Sequence, residues 1–203
     1  MLELDHLAVV ACDLEAGRAA VEEALGVALQ PGGRHAYFGT HNLLLGLEAG
    51  LYLEVIAVDP DAAEPGVARW FDLDRMAGGP RLGNWICRSD NLEREMERFP
   101  EAGRPVSLAR GDLKWRMAVP ETGRLPFENL FPAIMQWECA AHPAGRLTAS
   151  GCTLQRLVIA HPKAAELSAR LAPALTDARV VFEAGAPSLM AEVMTPSGLR
   201  RLQ

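Results

Sequence analysis

Two stretches, Leu4-Asp5-His6-Leu7-Ala8-Val9-Val10 and Leu51-Tyr52-Leu53-Glu54-Val55-Ile56-Ala57, decide how this chain is read. Both are apolar strand patterns, and each carries one potential metal ligand where an aliphatic residue would be the ordinary choice. A strand points alternate side chains to one face. His6 therefore shares a face with Leu4, Ala8 and Val10, and Glu54 shares one with Tyr52 and Ile56. If both faces line one cavity, His6 and Glu54 meet.

Between these strands the hydrophobic period changes. Leu14, Gly17, Val21, Ala24 and Leu25 fall on one helical face, with Asp13 as N-cap and Gly26 at the C-terminal glycine position. Gln30-Pro31-Gly32-Gly33 then breaks the chain, and His35 to Leu47 reads as further strand with turn points at Gly39-Thr40 and Gly46. The unit over 1–59 is thus strand, helix and about three strands. A polar, proline-rich connector follows over 60–81, in which Val67, Trp70, Phe71 and Asp74 keep the spacing of a short helix laid over a groove.

The same order returns over 82–141. Gly83 to Arg88 reads as a strand, Asp90 or Asn91 as a cap, and Leu92, Met96 and Phe99 as one helical face ended by Pro100 and Gly103. Val106 to Ala109, Lys114 to Val119 and Phe131 to Cys139 complete it as strands. A shorter copy spans 150–203: a strand at Leu154 to Ala160, a helix with Ala164, Leu167, Leu171 and Leu175 on one face, and two closing strands. The fold class is α+β, built from tandem βαβββ modules with a partial third module at the C-terminus, an internal repeat within one compact domain.

Composition narrows the function. A chain of 203 residues with 49% hydrophobic content buries a sizeable core, and a formal net charge of −6 disfavours a nucleic-acid partner, which would need a basic patch. No long apolar run and no leader pattern is evident, so the expectation is a cytoplasmic protein without a membrane partner. Cys12, Cys87, Cys139 and Cys152 lack C-x-x-C spacing and read as free, mostly buried thiols. The chain has no G-x-S-x-G elbow, P-loop, G-x-G-x-x-G after a strand, or H-E-x-x-H.

The opening LDHLAVV and closing LYLEVIAV of the first unit resemble the vicinal-oxygen-chelate superfamily, which includes glyoxalase I, extradiol dioxygenases and bleomycin- and fosfomycin-resistance proteins. His35 with the Gly39-Thr40-His41-Asn42 run, Leu125-Pro126-Phe127 and Ile134-Met135-Gln136-Trp137 resemble the glyoxalase-like domain group within it. The resemblance implies paired modules curled into an open, cup-shaped mixed sheet, with metal ligands on the first and last strand of each. It implies His6 and Glu54 as ligands to a divalent metal such as Zn, Ni, Mn or Fe. The second unit offers Asn84 or Trp85 and Gln136 or Glu138 at the matching positions. In the third copy Arg156 and Glu192 take the places of His6 and Glu54, and arginine is not a cation ligand.

Other residues have parts to play in such a cup. His35 or Glu138 would move a proton, while Asn42, Trp85, Gln136 and Trp137 would hold a small-molecule ligand, with Trp115 adding to an apolar floor. Arg116 and Arg124 could hold a carboxylate, and His142-Pro143 and His161-Pro162 read as turn and helix-start chemistry. The expected function is that of a metal-dependent lyase, isomerase or dioxygenase-type enzyme on a small oxygenated molecule. The other reading is a metal-free binding protein using the same cup, which two modules of one chain could close or which a homodimer could complete, with the third copy covering an edge or supplying the dimer contact.

Overall fold

The computed structural model describes residues 1–48 and 50–203. The first module runs β1 (Glu3–Val10), α1 (Leu14–Leu25), β2 (Gln30–His35), β3 (Thr40–Leu47) and β4 (Leu51–Val58). The second repeats that order as β5 (Arg81–Arg88), α2 (Leu92–Arg98), β6 (Arg104–Arg110), β7 (Leu113–Val119), the one-turn segment α3 (Pro126–Asn129) and β8 (Ala133–Trp137). In each module the first strand pairs in parallel with the last, as β1 with β4 and β5 with β8. The antiparallel pairing of β1 with β5 then joins the modules into one curled eight-stranded sheet, ordered β2-β3-β4-β1-β5-β8-β7-β6.

Local chemistry accounts for the module ends. The Asp13 side chain accepts a bond from the Ala16 N–H at 2.8 Å and caps α1, while Gly26 closes it in the left-handed conformation with φ 69°. Asn91 rather than Asp90 caps α2, accepting from the Arg94 N–H. Gly17 is what lets α1 lie close on the sheet, because a Cβ there would stand 2.6 Å from Val55 Cγ1. The Gly32-Gly33 pair does not break the chain as its composition suggests. It lies within β2, where the pairing with β3 slips between Pro31 and Arg34, an edge-strand bulge that glycine accommodates.

The connector also differs from a plain helix. Trp70 to Arg75 forms 3-10 turns interrupted at Phe71 and Asp72, both in the left-handed region with φ 55° and 57°. Trp70, Phe71 and Leu73 are buried, and the Asp72 N–H bonds the Gly123 carbonyl, so this segment caps the open side of the sheet.

The C-terminal part comprises β9 (Thr153–Ala160), α4 (Ala164–Leu171), β10 (Val180–Glu183), β11 (Ser188–Thr195) and β12 (Gly198–Leu202). It opens with strand and helix as the modules do, then forms its own four-stranded sheet ordered β10-β9-β11-β12, with one more closing strand than expected. Phe182 meets Trp85 of β5 at 6.4 Å, Leu2 bridges Leu175, and the Arg170 guanidinium lies 4.7 Å over the Phe99 ring. This sheet therefore buries the outer face of the cup, and the concave face is left to the site. Among the described residues no helix is long and apolar enough to cross a membrane.

Candidate active site

The concave face closes over a cavity of about 30 Å³, room for a water or two. Both modules line it: His6, His35, Asn42, Tyr52 and Glu54 from the first, and Arg110, Trp115, Met117, Met135 and Trp137 from the second. Trp70, Phe71 and Pro143 cover it.

The β1–β5 register skips Asp5, passing from Leu4 opposite Cys87 directly to His6 opposite Ile86. Asp5 is thus the extra residue of a bulge, which puts Leu4 and His6 on opposite faces and leaves Asp5 and His6 side by side. His6 Nδ1 lies 2.7 Å from Asp5 Oδ1, and the ring stacks on Tyr52 with centroids 4.3 Å apart. Asp5 Oδ2 also accepts from Trp137 Nε1 and lies 3.0 Å from His142 Nε2, with Arg88 Nη1 at 3.4 Å. Burial alone would raise the Asp5 pKa, but the bonds from His142 and His6 overcome it and hold the carboxyl well below the usual carboxylate range. An ionised Asp5 has no proton to give, so the hydrogen in its bond to His6 sits on His6 Nδ1.

His6 Nε2 is thereby directed at Glu54, 3.7 Å from Oε2. Glu54 meets none of the arginines that could have neutralised it: Arg88 pairs with Glu3 and Asp5, and Arg116 with Glu93 and Glu138. Its other oxygen accepts from Asn42 Nδ2. Asn42 Oδ1 in turn accepts from the Gly33 N–H at 2.7 Å and from Arg110 Nη1 at 3.2 Å. Donors on one side and a carboxylate on the other orient this amide unambiguously.

His35 serves Arg110. Its Nε2 faces Arg110 Nη1 at 3.2 Å, and its Nδ1 lies 3.1 Å from Thr40 Oγ1. Burial pushes its pKa down to about 4, opposed by Glu54 and reinforced by Arg110. His35 is therefore neutral near pH 7, accepting from arginine and donating to threonine, with no nitrogen left for a substrate proton.

His6, His35, Asn42, Glu54 and Trp137 thus converge on one cavity, and three other expected site residues lie outside it. Trp85 is opposite Leu7 on the face covered by the second sheet, and its Nε1 donates to the Leu130 carbonyl at 2.9 Å. Gln136 accepts from the Leu92 N–H at the start of α2 and from Arg116, and Glu138 pairs with Arg116 Nε at 2.9 Å. Alternation is the reason: Met135 and Trp137 face inward, so Gln136 and Glu138 face out. Asn84 is also spent, bonding the carbonyls of Asn129 and Phe131.

Sequence reading missed Asp5, Arg110 and His142. The bulge that aims Asp5 has no sequence mark, and no motif singles out Arg110. The Gly111-Asp112 turn that follows it was a usable hint, since it places Arg110 at a hairpin tip. Gly33 is the counterpart across the cavity: a Cβ there would stand 2.7 Å from Arg110 Cδ.

A divalent metal does not fit this donor set. A catalytic site ordinarily has three protein ligands, and among the described residues no group of three or more His, Cys, Asp or Glu is placed to hold an ion. His6 Nε2 and Glu54 supply two donors. The next nitrogen, on His35, is taken by a guanidinium, whose positive charge opposes a cation.

A concave sheet of paired βαβββ modules, lined by a buried carboxylate, a buried carboxylate-backed histidine and a half-buried arginine, defines a vicinal-oxygen-chelate protein. The chain belongs to the glyoxalase-like domain family, which matches residues 4–175. A hypothetical protein from Staphylococcus aureus has a similar structure, with TM-score 0.63 at 14% identity over 93% of this chain and 88% of that one. Methylmalonyl-CoA epimerase from Mycobacterium tuberculosis overlaps at TM-score 0.44 and 18% identity, over 68% of this chain and 88% of the epimerase. A methylmalonyl-CoA epimerase in complex with methylmalonyl-CoA and NH4+ gives 0.45 and 12%, over 70% and 99%. No curated protein matches the sequence.

Proposed function

We propose that this protein is an isomerase- or lyase-type enzyme that moves a proton on a carbon next to a carbonyl in a small oxygenated molecule. One observation carries the reading: Glu54 and His6 Nε2 stand 3.7 Å apart on the wall of one cavity, with His6 Nδ1 anchored on the ionised Asp5. Glu54 is the base. It takes the proton from the substrate carbon; the C–H electron pair becomes a C=C π bond as the carbonyl π pair moves onto oxygen, giving an enolate.

His6 Nε2 accepts that proton from Glu54 and returns it, to the other face of the carbon or to a neighbouring atom. The imidazolium formed in between is stabilised by Asp5, the role an orienting carboxylate plays for a catalytic histidine. Asn42 holds the Glu54 carboxylate toward the cavity. The tryptophan walls and the Trp70–Phe71 turn exclude water, which strengthens each of these interactions.

The test is solvent-deuterium incorporation, followed by proton NMR, across short-chain oxo and hydroxy compounds in D2O. The wild-type protein should exchange the carbon-bound hydrogen of its substrate class, and Glu54→Gln should slow that exchange about 100-fold or more. Ligand binding without exchange in the wild type would instead favour a sequestering protein.

A further inference from the structure

Arg110 stands out among the arginines of this chain. Most pair with a carboxylate, such as Arg69 with Asp74 and Glu64, Arg116 with Glu93, and Arg146 with Asp112. Arg110 lines the cavity and has no carboxylate within ion-pair distance among the described residues. Its only bonds there leave from Nη1, to neutral His35 and to the Asn42 amide oxygen. Nε and Nη2 make none. A guanidinium prefers paired acceptors in its plane, and one held half-buried with two nitrogens idle has been positioned but not neutralised.

A second donor lies at the same cavity. Trp70 is 4% exposed, and its buried Nε1–H has no acceptor among the described residues. Buried N–H groups are almost always satisfied, so an orphan on a residue that lines the cavity is accounted for by an acceptor that arrives with a ligand. Two idle guanidinium nitrogens and one indole N–H make a donor set for two oxygens bearing one negative charge.

We infer that Arg110 and Trp70 form an anion subsite that binds the carboxylate of the substrate, making the substrate class a short 2-oxo or 2-hydroxy acid. The assignment rests on the proton-transfer reading for the position of the reacting carbon, which the carboxylate would hold beside Glu54. A carboxylate fits better than a phosphate. Its two oxygens and single charge match the donors available, whereas a phosphate would bring more negative charge into a cavity that Glu54 also lines. Asn42, bonded to both Arg110 and Glu54, links the subsite to the base.

Titration calorimetry with 2-oxobutyrate, its neutral amide 2-oxobutyramide and inorganic phosphate tests the subsite apart from chemistry. Wild-type protein should bind 2-oxobutyrate at least tenfold more tightly than the amide or phosphate. Arg110→Met should lose that preference, Arg110→Lys should retain part of it, and Trp70→Phe, which keeps the ring but not the N–H, should weaken binding several-fold. Glu54→Gln should still bind 2-oxobutyrate. Equal binding of acid and amide, tighter binding of phosphate, or an unaltered preference in Arg110→Met would overturn the assignment. Carboxylate binding without deuterium exchange would overturn the proton-transfer reading and leave the anion subsite standing.

Discussion

His6 Nδ1 lies 2.7 Å from Asp5 Oδ1, although the two are sequence neighbours that a regular strand would point to opposite faces. The bulge at Asp5 makes this contact, and it sets which histidine nitrogen faces Glu54. Replacing Asp5 by asparagine frees the His6 ring to adopt the other tautomer and turns an amide N–H toward the donors of Trp137 and His142. The expected result is a loss of deuterium-exchange rate of about two orders of magnitude and about 3 kcal/mol of stability, read by NMR and by urea unfolding.

His35 titrates in the folded protein near 4 rather than at its ordinary 6.5. Between those values the unfolded chain binds a proton that the native protein refuses, so stability is full above about pH 6.5 and declines as pH falls toward 4. The full shift corresponds to about 3 kcal/mol. Urea midpoints measured from pH 7.5 to pH 4 should fall steeply for wild type and less so for His35→Gln. The depressed Asp5 acts in a separate window, below the ordinary carboxylate range, where its protonation removes further stability.

Chelation should leave the protein unaffected. With two available donors and an arginine where a third would stand, protein dialysed against EDTA should retain its ligand affinity and exchange rate, and elemental analysis should give far less than one metal per chain. Stoichiometric metal that disappears in a His6→Ala, Glu54→Ala double variant would contradict the donor argument.

Gly33→Ala should act on the site without touching the fold of the first module. The added methyl would stand 2.7 Å from Arg110 Cδ and push the guanidinium off His35 and Asn42. Affinity for 2-oxobutyrate should drop about tenfold, which is about 1.4 kcal/mol, while the thermal midpoint changes little.

Gly17→Ala tests the packing of α1 instead. Its methyl would meet Val55 Cγ1 at 2.6 Å, and overpacking of this kind costs about 1–3 kcal/mol. The loss should appear in urea unfolding, with ligand affinity unchanged in the protein that remains folded.

Much of the architecture was legible in the chain because strand and helix periods differ and the βαβββ order is written twice. The caps at Asp13, Gly26 and Asn91 are local chemistry, and so is the alternation that turns Tyr52, Glu54 and Ile56 to one face. The site was legible only in part. Glu54 and Trp137 follow from alternation along regular strands, whereas His6 owes its facing to the bulge at Asp5, and choosing Gln136 and Glu138 alongside Trp137 ignored that neighbours on β8 point opposite ways. Trp85 was misplaced because an apolar aromatic on a strand serves a core or a cavity equally well, and only the second sheet decides between them.

The sequence by itself determined the repeat and the strands that carry His6 and Glu54, because these depend on periodicities of a few residues. Tertiary structure alone decided that Asp5 leaves the strand register to hold His6, that Arg110 crosses from the second module onto His35 and Asn42, and that Trp70 closes the cavity. Those contacts join residues as far apart as 35 and 110. They arise from the curl of one sheet, which brings separate elements to a shared concave face, and no local pattern records that curvature.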